Sequence, residues 1–108
     1  MRQLTNTQRE YLRRLAHSLK PVVQIGKQGL TPPVHVAVDQ ALSARELIKI
    51  KFQDFRDQKQ ALAEKLASIA GGVLIGVIGN IAILYREQPD PAERKINLPG
   101  LGRTEDRG

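Results

Sequence analysis

Cysteine is absent from the 108 residues. That excludes disulfide frameworks, zinc ribbons, iron–sulfur clusters and thiol nucleophiles, and it fits a reducing compartment. Tryptophan is absent as well, and two tyrosines and two phenylalanines hold the aromatic share to 4%. So few rings argue against a binder that stacks bases on several exposed aromatics. There is no Walker loop and no dinucleotide fingerprint. His17 and His35 are the only histidines, and no carboxylate accompanies them at ligand spacing, so no metal site is expected. Ser18, Ser43 and Ser68 sit in no nucleophile motif. The chain reads as a non-enzyme with no cofactor. No apolar run precedes Leu19, so no secretory signal is expected and the reading is cytoplasmic.

A chain of this length is one domain by the usual size prior. Apolar residues make up 41%, enough for a single modest core. Lys plus Arg number 17 against 11 Asp plus Glu, a net charge of +6. The excess is concentrated at one end. Residues 1–29 hold six basic residues (Arg2, Arg9, Arg13, Arg14, Lys20, Lys27) and one acid, Glu10. A basic pole on a small domain is an electrostatic footprint for a polyanion.

Residues 66–85 pass without a charge, and a membrane span there is one alternative. Against it, Gly79-Asn80 separates two runs rich in Val and Ile, 73–78 and 81–85, which is hairpin punctuation.

Residues 5–16 read as a helix. Thr5 with Gln8, or Thr7 with Glu10, makes a capping box. Tyr11, Leu12, Leu15, Ala16 and Leu19 form its apolar stripe, away from Arg9, Arg13 and Arg14. Pro21 closes it, and 22–25 is a short strand. Thr31-Pro32 starts a second helix, whose stripe is Val34, Ala37, Val38, Ala41 and Leu42. Residues 47–52 alternate as a half-buried strand, with Ile48, Ile50 and Phe52 inward and Leu47, Lys49 and Lys51 outward. A third helix spans 57–70, capped by Asp57 and stopped by Gly71, with Leu62, Leu66, Ile69 and Ala70 buried. The order α-β-α-β-α-β-β predicts the α+β class: a two-layer sandwich of helices on a mixed four-stranded sheet. After Arg86, proline and glycine recur. Ile96 and Leu98 are expected to dock residues 86–99 on the body. Residues 100–108 are read as a disordered extension.

Gly26-Lys27-Gln28-Gly29 joins a strand to a capped helix. Gly-x-x-Gly alone is a weak signal, and it recurs at Gly76–Gly79 within the hairpin. Between strand and helix, such a turn exposes backbone N–H groups and the helix N-terminus to a phosphate. Lys27 adds a charge, and Gln28 adds a donor and an acceptor.

Residues 15–31 (LAHSLKPVVQIGKQGLT), 46–52 (ELIKIKF), 73–86 (VLIGVIGNIAILYR) and 93–99 (ERKINLP) together resemble one family. It is the CRM domain, chloroplast RNA splicing and ribosome maturation, in its stand-alone bacterial YhbY form. The resemblance covers residues 4–99. It implies a fold like the C-terminal domain of bacterial translation initiation factor three, and RNA binding through the Gly-x-x-Gly loop and nearby basic residues. It further implies association with precursors of the large ribosomal subunit. Carried over by position, Gly26, Lys27, Gln28, Gly29 and Lys20 occupy the binding stretch, and Arg13 and Arg14 match a basic stretch of the first helix. Arg94 and Lys95 would extend the basic surface if the tail docks. The expectation is a monomeric protein that binds structured ribosomal RNA, within a CRM-like domain over residues 1–99. The alternatives are a protein-interaction module with a basic face and the membrane span at 66–85.

Overall fold

The computed structural model describes residues 3–100. Arg2 of the basic pole and residues 101–108 of the expected extension lie outside the described residues. The elements follow the expected order. Helix α1 runs Asn6–Ala16, strand β1 Val23–Ile25, α2 Pro32–Arg45 and β2 Leu47–Phe52. Helix α3 runs Lys59–Ala70, and β3 (Val73–Ile78) and β4 (Ile81–Tyr85) close the chain's regular part. The sheet order is β1-β2-β4-β3, with β1 parallel to β2 and both other pairs antiparallel.

Local chemistry accounts for the helix ends. Thr5 and Gln8 form a reciprocal capping box, each side chain meeting the other's backbone N–H at 3.1 and 3.0 Å. The Thr31 hydroxyl accepts from Val34 N–H at 3.3 Å. Asp57 does not cap α3. Phe55 stands at φ 56° and turns the chain into a 3-10 turn, Arg56–Gln58, which takes up Asp57 before α3 begins at Lys59.

The helices divide between two faces of the sheet, so the layering is helix–sheet–helix and the two-layer expectation is corrected. On one face, Ile25, Ile48, Ile50, Phe52, Ala82 and Leu84 pack against Val38 and Leu42 of α2 and Ala63, Leu66 and Ala67 of α3. On the other, Leu47, Ile75, Ile83 and Tyr85 pack against Leu12 and Ala16 of α1. Leu47, expected on the solvent side, is therefore buried at 3% exposure. The physical cause lies in β4, whose unbroken apolar run Ala82–Tyr85 is buried residue by residue, the mark of a strand covered on both faces. Ile69 is corrected in the opposite sense. It is 56% exposed because the buried stripe of α3 is centred on Ala63, Leu66 and Ala67.

The uncharged stretch 66–85 is split between α3, β3 and β4. Among the described residues no helix is long and apolar enough to cross a membrane. The turn from α3 into β3 is tight. A Cβ on Gly72 would stand 2.9 Å from the Tyr85 carbonyl oxygen. Because a backbone atom must then move, Gly72→Ala is expected to cost about 1–3 kcal/mol, read as a lower urea midpoint with an unchanged slope.

Beyond β4 the chain turns back over the body. Arg86 ties α2 to α3: its guanidinium donates to the Asp39 carboxylate at 2.7 Å, the Ser43 hydroxyl at 2.8 Å and the Ala70 carbonyl at 2.9 Å. Glu46, between α2 and β2, is fully buried at φ 68°. Its carboxylate accepts three backbone N–H groups of the tail: Gln88 at 2.8 Å, Lys95 at 2.8 Å and Ile96 at 3.0 Å. Leu98 is buried with the α1 cluster, Ile96 packs against that cluster, and the Gln8 amide donates to the Pro99 carbonyl at 3.1 Å.

Candidate nucleic-acid interface

The chain turns immediately after β1. Gly29 N–H donates to the Gly26 carbonyl at 3.0 Å and closes the turn. Gly29 has φ 74°, and a Cβ there would lie 3.5 Å from the Phe55 ring. The positive φ favours glycine at this position, whereas the Phe55 ring stands only at ordinary contact distance. Lys27 and Gln28 are exposed at the tip. The backbone N–H groups of Lys27, Gln28 and Leu30 have no hydrogen-bond partner among the described residues. Of these, the N–H groups of Lys27 and Gln28 are successive, and successive free N–H groups beside a cation are the kind of arrangement that can receive an anion.

The N-terminus of α2 contributes less than its sequence predicts. Pro32 and Pro33 carry no N–H, Val34 donates to the Thr31 hydroxyl, and His35 donates to the Thr31 carbonyl. No N–H group of the first turn of α2 is left free for an anion. What α2 retains is its dipole.

The other predicted cations are dispersed. Lys20 is exposed at the start of β1, at the opposite end of that strand from the loop. Arg14 is exposed on α1. Arg13 pairs with Glu10 at 2.9 Å, and its guanidinium lies over Gly76 of β3, with Arg9 donating to the Leu74 carbonyl at 2.8 Å. Strands β1 and β3 are the two edges of the sheet, roughly 14 Å apart at the usual strand spacing. The arginines of α1 that were read as one pole with the loop therefore lie partly at the far edge. Arg94 is held within the tail, donating to the Gln88 carbonyl at 2.9 Å and standing 3.6 Å from Glu87. Lys95 is exposed, but its backbone is fixed on Glu46 at the head of β2. That strand rises about 20 Å to the loop end of the sheet.

Different cations stand near the loop. Lys51 is the register partner of Gln24, and both are exposed on the sheet two residues from the turn. Arg56 is exposed in the 3-10 turn that follows Phe55. Lys65 shares a recess with Gly29, Leu30, Phe55, Gln58 and Leu62. Among the described residues no carboxylate pairs with Lys27, Lys51, Arg56 or Lys65. The alternation of 47–52 placed Lys51 outward, but only the parallel pairing of β1 with β2 brings it beside the loop. Nothing local in the sequence marks Arg56 or Lys65.

A mixed sheet carrying helices on both faces, with a glycine-bounded turn between its first strand and second helix, defines a small α+β domain. The chain belongs to the CRS1/YhbY (CRM) domain family, which it matches over residues 4–86. It is 37% identical over 97 residues to the Bacillus subtilis protein named "Probable RNA-binding protein YqeI", covering 89% of this chain and 99% of that one. It is 37% identical over 100 residues to a Haemophilus influenzae "RNA-binding protein", covering 92% and 98%. The solution structure of the hypothetical protein SAV1595 from Staphylococcus aureus matches with a TM-score of 0.75 at 40% identity, over 90% of this chain and all of that one. The resemblance read from residues 15–31, 46–52, 73–86 and 93–99 thus identifies the family correctly.

Proposed function

We propose that this protein is a non-enzymatic, cytoplasmic, monomeric RNA-binding protein that holds the sugar–phosphate backbone of structured ribosomal RNA during large-subunit assembly. The observation that carries the reading is the turn at Gly26–Gly29, with the free N–H groups of Lys27, Gln28 and Leu30 beside the unpaired Lys27 side chain. The names of the relatives support RNA as the ligand. The ribosomal destination rests on the resemblance to the stand-alone family members. Lys51, Arg56 and Lys65 surround the loop with charge. Arg14, Lys20 and Lys95 supply weaker, long-range attraction, and Arg13 and Arg94 are already engaged within the protein.

The test is the double variant Lys27→Asp, Gln28→Asp. It places two negative charges where the phosphate sits, and affinity for RNA is expected to fall about tenfold or more. Both residues are exposed, so the melting temperature should stay within about 2 °C. Unchanged affinity in a folded double variant refutes the clamp. For the destination, RNA crosslinked to the protein in cells and then sequenced should be enriched in large-subunit ribosomal RNA.

A further inference from the structure

Beside the loop lies a recess of about 480 Å³, lined by Gly29, Leu30, Phe55, Gln58, Leu62 and Lys65. Its floor is apolar: Phe55, Leu30 and Leu62 all pack against the core from half-buried positions. Its rim is polar, with the exposed side chains of Gln58 and Lys65. Gln58, Leu62 and Lys65 follow one another at helical spacing along the start of α3. Gln58 occupies the cap position of α3 but makes no side-chain cap bond, so its amide is available as both donor and acceptor.

The ring of Phe55 is presented by a strained backbone. Phe55 sits at φ 56°, a conformation that bulky residues rarely adopt. The surroundings enforce it. The Asp54 carboxylate accepts from Phe55 N–H at 2.8 Å, and the Ile25 carbonyl accepts from Gln53 and Asp54 N–H at 2.9 and 3.2 Å. The result is a ring packed 3.5 Å from where a Gly29 Cβ would stand, at the inner edge of the phosphate turn. A strained residue held by its neighbours is found where conformation serves a site.

We infer that this recess is a nucleobase pocket, taking one unpaired base of the RNA strand whose phosphate rests on the Gly26–Gly29 turn. Gly29 lines both, so backbone clamp and base pocket are continuous. Unstacked bases of RNA are commonly held on an aromatic face and read at their edges by hydrogen bonds. Phe55 with Leu30 and Leu62 supplies the apolar surface, the Gln58 amide supplies a donor and an acceptor, and Lys65 faces the strand's negative charge. The inference rests on the RNA reading above but separates from it, because backbone and base are distinct parts of the ligand.

The experiment compares the full chain's affinity for a short unstructured single-stranded RNA with its affinity for an abasic strand of equal length and charge. The native protein is expected to prefer the strand with bases by about tenfold, within the range for one stacked base. Phe55→Leu and Gln58→Ala should each shrink that preference, and both should leave the abasic affinity in place. Gln58 is exposed, so its variant reports even if Phe55→Leu folds poorly. Lys27→Asp with Gln28→Asp should weaken both strands alike. A native protein that binds both strands equally, or a preference that survives both Phe55→Leu and Gln58→Ala, overturns the pocket and leaves the clamp standing. No measurable binding to either strand also overturns the pocket, while the reading of structured RNA stands or falls with the crosslinking experiment above.

Discussion

Glu46→Ala is expected to destabilise the protein by about 3–5 kcal/mol and to release the tail. The carboxylate is fully buried, and its recorded partners are three backbone N–H groups from Gln88, Lys95 and Ile96. A bond from a neutral donor to a charged acceptor contributes about 1.5–3 kcal/mol, and a buried N–H left without a partner costs about 1–3 kcal/mol. The tail escapes that cost by undocking into water, which exposes Leu98 and ends the contact of Gln8 with Pro99. The loss is therefore capped near the value of the docked segment. For a domain of this size the melting temperature should drop by about 12–20 °C. Hydrogen exchange at Lys95 and Ile96 should become fast in the same variant.

Two further variants dissect the effect. Glu46→Gln keeps one acceptor but turns an amide N–H₂ toward one of the tail's donors, so an intermediate loss is expected. Glu46→Gly removes the carboxylate yet relieves the strain of φ 68°, and it should be about 1 kcal/mol less damaging than Glu46→Ala. A melting temperature within about 2 °C of native for Glu46→Ala would show that the three hydrogen bonds do not anchor the tail.

Glu46 also marks where reading along the chain stops. Its three partners lie 42, 49 and 50 residues away. No pattern near Glu46 announces them, and a lone acid at the head of a strand reads as solvated. What is legible is local. Thr5 with Gln8, Thr31 before Pro32, and Gly79-Asn80 between β-branched runs each act within four residues, and each appears in the structure where expected. The errors share one source, the choice of which neighbour covers which face. Leu47 is buried because α1 lies on the second face of the sheet, and Ile69 is exposed because α2 and the sheet meet α3 along a different stripe. Phe55 was invisible for another reason. A left-handed phenylalanine contradicts its own preference, and only its surroundings hold it there.

The candidate site divides in the same way. The turn at Gly26–Gly29 is a local signal, and the family resemblance assigns it a role. The cations around it are a property of the fold. Arg13 and Lys20 are close to the loop in sequence, yet one lies at the far edge of the sheet and the other at the far end of β1. Lys51, Arg56 and Lys65 are distant in sequence but close to the turn in space.

That redistribution sets the salt dependence of RNA binding. Each phosphate neutralised on a single strand or duplex contributes about −0.7 to −0.9 to the slope of log affinity against log salt. Lys27, Lys51, Arg56 and Lys65 as four contacts give a slope of about −2.8 to −3.6. Between 50 and 200 mM salt the affinity should then fall about 50- to 150-fold. Lys51→Ala should flatten the slope by nearly one contact's worth, and Arg56→Ala should do the same. Arg13→Ala should leave it unchanged, because that guanidinium already pairs with Glu10 and covers Gly76. A titration by fluorescence anisotropy over that salt range decides between the two sets. If Arg13→Ala flattens the slope and Lys51→Ala does not, the RNA crosses the β3 edge of the sheet and the interface around the loop is misplaced. A slope near zero removes electrostatics from the binding and returns the basic residues to solubility.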